Sequence, residues 1–220
     1  MTNDRDADIT IAQMTAADWS AVRRIYAEGI ATGDATLERE APDWNHFDHS
    51  HRPDCRIVVR DGPGGPVLGW TALGGYSARK VYSGVAWESV YVTAAARGRG
   101  VGRALLEALI PASEAVGFWT LLAGVLVDNT ASLALHEAVG FRWVGVQHGV
   151  GQDIRGRWRD VVLLERRSEV VGIVAGGVDL ASSESIEFVA TELVVSRQEF
   201  TPGGVPQPDG QGGGVDDIGA

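Results

Sequence analysis

The run Val90-Tyr91-Val92-Thr93-Ala94-Ala95-Ala96-Arg97-Gly98-Arg99-Gly100-Val101-Gly102-Arg103-Ala104-Leu105-Leu106 limits the fold more than any other part of the chain. It reads as a strand that turns through a glycine-rich loop directly into a helix. Glycine admits positive φ and lets a ligand approach the backbone closely. The helix that follows opens with unpaired N–H groups and the positive end of its dipole. Arg97, Arg99 and Arg103 add positive charge. Together these features suit a pyrophosphate, although the glycine spacing by itself suits a tight basic turn onto a helix equally well. The Gly-Lys-Ser/Thr ending of a Walker loop is absent. A dinucleotide fold is disfavoured too: there is one such unit, late in the chain, with no acidic residue where a ribose partner should follow.

The remaining pattern alternates strands and helices. Residues 8–14 read as a short strand with Ile9 and Ile11 on one face. Thr15 stands three residues before Asp18, a capping-box-like start to a helix. Trp19, Val22, Ile25, Tyr26 and Ile30 share one face of that helix, and Gly29 and Gly33 mark its end. Residues 56–59 and 67–73 form a hairpin around Asp61-Gly62-Pro63-Gly64-Gly65. Residues 86–92 are a strand. Residues 101–116 are a helix interrupted by Pro111. Residues 120–127 are an apolar strand buried on both faces. Residues 131–139 are a helix ending at Gly140. Residues 142–148 and 159–166 are the closing strands. This order predicts an α/β protein built on a single mixed sheet.

Charge separates the body from the end. Of the net −10, nine acidic residues and one arginine place −8 on the last 52 residues, so residues 1–168 are near neutral. A near-neutral body has no bulk basic character for nucleic acid. The division is a domain over 1–168 and an acidic, Gly-rich tail over 169–220. Residues 202–220 read as disordered, and 186–196 has the pattern of one strand. The polar start is unlike a secretory signal, and no apolar run is long enough to span a membrane, so the expectation is a cytoplasmic protein. Cys55 is the one cysteine, which excludes an internal disulfide and a Cys-based zinc cluster; it reads as a small buried residue. His46, His49 and His51 with Asp48 and Asp54 have no supporting second cluster, so no metal is expected.

Several motifs in the right order resemble one family. Arg97-x-x-Gly100-x-Gly102 after a strand resembles the acyl-CoA pyrophosphate loop of the GNAT superfamily of N-acetyltransferases. Asn129-x-x-Ser132-x-x-Leu135-His136-Glu137-x-x-Gly140-Phe141 resembles its later CoA-side helix and following strand. Gly33-Asp34-Ala35-Thr36-Leu37-Glu38-Arg39-Glu40-Ala41-Pro42 is similar to the substrate loop of the phosphinothricin and methionine-sulfoximine acetyltransferases. Ala78-Arg79-x-x-Tyr82 and Gly156-Arg157-Trp158-Arg159-Asp160-Val161 resemble two further motifs of that branch. The match covers about residues 9 to 165.

The resemblance implies a mostly antiparallel mixed sheet with flanking helices. It implies one parallel strand pair, within 89–92 and 121–127, that splays apart to bind acetyl-CoA. Backbone N–H groups of Val90, Tyr91 and Val92 would hold the pantetheine and polarise the thioester carbonyl. Arg97, Gly98, Arg99, Gly100, Val101 and Gly102 would hold the pyrophosphate. Ser132 and Asn129 would complete the cofactor site, Asn129 either bonding the pantetheine amide or capping its helix with Asp128.

Glu88 is the candidate base for an attacking amine. In the branch this glutamate stands four residues before the strand tyrosine, where this chain has Trp87. Glu88 therefore points to the opposite face of a regular strand unless a bulge re-phases it. A water held by backbone carbonyls or by Glu38 is the alternative base. His136 occupies the place of a tyrosine acid: it either serves the sulfur or packs with Leu133 and Phe141.

Thr36, Leu37, Glu38, Tyr76, Arg79 and Tyr82 are the substrate-binding candidates, Arg79 for a carboxylate. Trp158 reads as packing rather than binding. The implied reaction is direct acetyl transfer to the α-amine of a small amino-acid-like substrate. The competing readings are another amine (polyamine, antibiotic or protein N-terminus) or a non-catalytic acyl-CoA module. A homodimer meeting through the closing strands is implied by the same branch.

Overall fold

The computed structural model describes residues 9–173. The tail readings over 186–196 and 202–220, and most of the 169–220 segment, lie outside the described residues. One seven-stranded sheet carries the fold, in the order β1-β2-β3-β4-β5-β7-β6. Its strands are β1 (Ile9–Gln13), β2 (Ile57–Asp61), β3 (Val67–Gly75), β4 (Val85–Val92), β5 (Thr120–Leu126), β6 (Arg142–Gln152) and β7 (Trp158–Arg167). Every neighbouring pair is antiparallel except β4 and β5.

Among the described residues four α-helices cover the sheet: α1 (Trp19–Thr32), α2 (Trp44–Ser50), α3 (Val101–Ala115) and α4 (Thr130–Ala138). Alternate strand residues point to opposite faces, so the sheet has two cores. On one face Val22 and Ile25 of α1 and Phe47 of α2 pack with Val58, Trp70 and Ala72. On the other, Leu105, Leu106 and Leu109 of α3 and Leu133 of α4 pack with Val59, Leu68, Ala86 and Val125.

Local chemistry explains the helix ends. The Asp18 carboxylate accepts from the Thr15 N–H and hydroxyl at 2.9 and 3.1 Å, just before α1. Gly33 closes α1 in the left-handed region at φ 71°. Gly29, read from the sequence as a helix end, lies inside α1 instead. A side chain there would meet the Tyr91 ring, with the nearest atom 2.8 Å from an added Cβ, so the glycine serves close packing rather than termination. α3 runs through Pro111 as one element.

Helix α2 has no counterpart among the elements expected from the sequence. It has seven residues, and Asp43 caps it by accepting from the His46 N–H at 2.8 Å. Isolated helices of that length do not form, so tertiary packing must hold it. The buried Phe47 ring supplies that packing against Trp19 and Trp70, with centroids at 4.8 and 5.6 Å.

Candidate active site

The site begins where a hydrogen-bond ladder stops. β4 and β5 pair only from Val85↔Thr120 to Trp87↔Leu122. Beyond that point β4 continues to Val92 on β3, and β5 continues to Leu126 on β7. The inner edges of the two strands therefore have no ladder partner over their last residues. A cavity of about 350 Å³ fills the gap. Its walls are β4 from Trp87 to Tyr91, β5 at Gly124, Val125 and Leu126, the loop Ala35–Glu38, Tyr26 of α1, and Asn129, Ser132 and His136 around α4.

Glu88 and His136 meet in this cavity. The β3–β4 register runs from Gly69↔Val92 to Gly75↔Ala86 without a bulge, so no re-phasing occurs. Glu88 stays on the face of Ala86 and Val90, which is the α3–α4 face. It still lines the cavity, because the parted strands open both faces onto one space. His136 Nε2 lies 2.7 Å from Glu88 Oε1, and the two side chains are 1% and 4% exposed.

The other ring nitrogen fixes the proton arrangement. His136 Nδ1 lies 2.7 Å from the Ser132 carbonyl oxygen, which can only accept, so Nδ1 carries hydrogen. A bare Nε2 would then face a bare carboxylate. The pair therefore holds one further proton on the Nε2–Oε1 line. Burial opposes the charged imidazole, but the Glu88 carboxylate and the Ser132 carbonyl outweigh it and raise the His136 pKa above its ordinary value. Glu88 Oε2 is buried and has no hydrogen-bond partner among the described residues. A buried acceptor of that kind costs free energy unless something is bound to it.

The other expected residues separate into three groups. Val90, Tyr91, Asn129, Ser132, Thr36, Leu37 and Glu38 line the cavity. Arg97, Gly98, Arg99, Gly100, Val101 and Gly102 stand beyond the end of β4, at the start of α3. Gly98 and Gly100 hold φ of 75° and 78°. Val101 is buried, Arg99 is paired with Asp61 at 2.9 Å, and Arg97 makes no ion pair among the described residues. Val92 packs in the α3 core.

Tyr76, Arg79 and Tyr82 lie outside the cavity. Arg79 stacks over Tyr82 at 5.4 Å, and Tyr76 leads back to the cavity through Trp87, 6.2 Å away. Asn129 Oδ1 caps α4 by accepting from the Ser132 N–H at 3.1 Å, and its Nδ2 donates to the Asp34 carbonyl.

Some lining residues carried no functional signal in the sequence. Tyr26 looks like one more apolar-face residue of α1, yet its ring packs on Tyr91 at 4.6 Å and borders the cavity. Burial raises the pKa of both phenols, which keeps them neutral. Trp158 corrects an expectation: it is 67% exposed rather than packed. It stands at the start of β7 beside the hairpin, where its cross-strand partner is Gln152 on the edge strand. Among the described residues no three His, Cys, Asp or Glu are arranged to hold a metal, and no helix is long and apolar enough to cross a membrane.

Known proteins share this architecture. The profile of the Acetyltransferase (GNAT) family matches residues 19–141. The chain is 39% identical over 158 residues to the phosphinothricin N-acetyltransferase of Alcaligenes faecalis, covering 68% of this chain and 77% of that protein. It is 31% identical over 153 residues to the L-methionine sulfoximine/L-methionine sulfone acetyltransferase of Pseudomonas aeruginosa, covering 68% of this chain and 88% of that protein. The crystal structure of a GNAT superfamily phosphinothricin acetyltransferase from Sinorhizobium meliloti in complex with AcCoA matches with a TM-score of 0.68 at 28% identity, over 77% of this chain and 93% of that one. A ladder that stops between β4 and β5, a glycine loop opening α3 and these relatives agree: the chain belongs to the GNAT family of acetyltransferases.

Proposed function

We propose that the chain transfers acetyl from acetyl-CoA to the α-amine of a small amino-acid-like acceptor of the phosphinothricin or methionine sulfoximine type. The observation that carries the chemistry is the buried Glu88–His136 pair with Glu88 Oε2 unpartnered in the strand gap. The acceptor class rests on the relatives.

Acetyl-CoA supplies the acetyl group as an activated thioester. The free edge of β4 past Trp87 offers N–H groups to the pantetheine and to the thioester oxygen. The start of α3, with Gly98 and Gly100 in left-handed backbone and Arg97 without an ion pair among the described residues, suits the pyrophosphate. An α-amine is largely protonated near neutral pH and must lose a proton to attack. Glu88 Oε2 takes that proton, while His136 steadies the carboxylate from the other side. The Glu88–His136 pair later returns one proton to the departing sulfur, so the cycle releases one proton to solvent.

A second reading keeps the chemistry and changes the acceptor. Arg79 lies outside the cavity, and a neighbouring cavity of about 570 Å³ shares Tyr26 and Glu38 and continues past Glu40, Asp43, His46 and His51. That wall favours an amine with a second positive charge. We also infer that residues 1–168 carry the transferase in the cytoplasm, and that the chain is a homodimer. The edge strand β6 exposes Trp143, Val144, Val146 and Val150 beside Trp158, an apolar surface that an unpaired edge does not ordinarily leave open.

The test is a thiol-release assay with acetyl-CoA against phosphinothricin, methionine sulfoximine, methionine sulfone, spermidine, an aminoglycoside and an N-terminal peptide. Turnover confined to the amino-acid analogues is expected. Turnover of spermidine alone would replace the first reading with the second. Sedimentation at two concentrations tests the dimer.

A further inference from the structure

Among the described residues Arg159 is the buried arginine with the most hydrogen bonds. It stands near the start of β7 and is 6% exposed. Its Nη1 donates to the Gly33 carbonyl at 2.6 Å and to Asp153 Oδ2 at 3.0 Å. Its Nη2 donates to Asp34 Oδ1 at 3.1 Å and to Asp128 Oδ2 at 3.0 Å. One planar guanidinium thus joins three segments: the turn after α1, the β5–α4 loop and the β6–β7 hairpin.

The partners are not equivalent. Asp153 is fully buried and also accepts from the Arg155 and Arg157 backbone N–H groups. Its carboxylate is shared, because the Arg157 guanidinium also donates to Oδ2 at 2.9 Å, so Asp153 balances only part of the Arg159 charge. Asp34 and Asp128 have side chains 54% and 69% exposed. Exposed pairs add little stability. Their effect is on position. Two residues past Asp34, Thr36, Leu37 and Glu38 form the acceptor-side wall of the cavity. Directly after Asp128 come Asn129, Ser132 and His136, the opposite wall. The Asn129 side chain donates to the Asp34 carbonyl at 3.1 Å and ties the same two loops again. Leu37 rests on Gly151 of β6, whose cross-strand partner is Arg159; a Cβ at Gly151 would stand 2.9 Å from Leu37 Cδ1.

We propose that Arg159 is a positioning residue that holds the 34–38 loop at a set distance from α4, and so defines the acceptor side of the cavity without touching the reacting atoms. The proposal rests on the acetyl-transfer reading for its kinetic consequence, but not for its structural one.

The test uses Asp34→Asn and Asp128→Asn, which leave the buried Arg159–Asp153 pair intact, with Arg159→Lys and Arg159→Met beside them. Arg39 is exposed in the loop and is a trypsin site, so its cleavage reports loop opening. For Asp34→Asn, cleavage after Arg39 should speed by about fivefold with the melting temperature held within about 2 °C. The acceptor KM should rise about tenfold while the acetyl-CoA Kd changes by less than about twofold. Arg159→Lys should recover part of what Arg159→Met loses, since a point charge can hold one loop but not both. Wild-type cleavage at Arg39 in Asp34→Asn, or faster cleavage with an unchanged acceptor KM, would overturn the proposal. If the wild-type protein acetylates no amine in the panel, the functional reading fails, and the Arg39 cleavage rates alone decide whether Arg159 holds the loop.

Discussion

His136 Nε2 lies 2.7 Å from Glu88 Oε1, while His136 Nδ1 donates to the carbonyl of Ser132 one helical turn earlier. The two contacts make the imidazole a fixed spacer between α4 and β4. They also leave a single proton on the line between the two side chains. Glu88 lines the gap between β4 and β5, and its second carboxylate oxygen is buried with no hydrogen-bond partner among the described residues. In the proposed reaction it is the atom that takes the proton of the bound amine.

Glu88→Gln keeps the shape and a hydrogen bond to His136 but cannot accept a proton. The expected loss in kcat/KM is about 10²- to 10⁴-fold, the usual worth of a positioned base. The acetyl-CoA Kd, read by calorimetry, should stay within about twofold, because Glu88 does not belong to the cofactor-holding edge. A loss of turnover under about tenfold would remove Glu88 from the role of base.

The pair also links stability to pH. Despite burial, Glu88 and the Ser132 carbonyl raise the His136 pKa in the folded chain above its ordinary value of about 6.5. The stabilisation is therefore fully present below about pH 6.5 and fades as pH rises through the folded-state value. Urea unfolding of the wild type and His136→Gln at pH 6 and pH 9 should show a larger stability difference at pH 6. A larger difference at pH 9 would contradict the assigned proton.

Gly29→Ala adds a methyl 2.8 Å from Tyr91 Cδ1 and 2.9 Å from Cε1. Overpacking of this kind costs about 1–3 kcal/mol, against a helix-propensity gain of about 1 kcal/mol. The net effect should be a lower urea midpoint. Tyr91 lines the cavity, so its ring should move into the site and weaken acetyl-CoA binding as well. An unchanged midpoint and affinity would show that the ring has room to withdraw elsewhere.

Gly100 and Gly64 form a matched pair. Both hold positive φ, at 78° and 70°, and an added Cβ at either meets nothing within 4 Å. Alanine at each should cost about 1–2 kcal/mol of backbone strain. Only Gly100 stands at the start of α3, so only Gly100→Ala should weaken acetyl-CoA binding, by about tenfold, through the altered loop. Equal affinities in the two variants would argue that the α3 loop does not carry the pyrophosphate.

Much of this molecule is readable from the chain because its signals are local. The glycines at 98 and 100 take left-handed backbone, and α3 starts at Val101 where the apolar spacing resumes. The β2–β3 hairpin, the end of α4 before Gly140 and the apolar β5 likewise follow from neighbours in sequence. Glu88 and His136 each stand out as residue types suited to proton transfer, but nothing in the sequence joins them. α2 escapes the reading because a seven-residue polar segment becomes helical only when Phe47 finds Trp19 and Trp70.

The strand–loop–helix motif follows from the chain alone, since backbone preference and helix-end electrostatics act over a few residues, and the motifs at 33–42, 97–102 and 129–141 carry the family resemblance. The tertiary structure alone decided that the β4–β5 ladder stops at Trp87, that His136 reaches Glu88 48 positions away, and that Arg159 reaches Gly33 126 positions away. Those contacts depend on where separate elements come to rest, and a hydrogen bond in a buried gap exists only once the packing of the whole sheet has placed both of its ends.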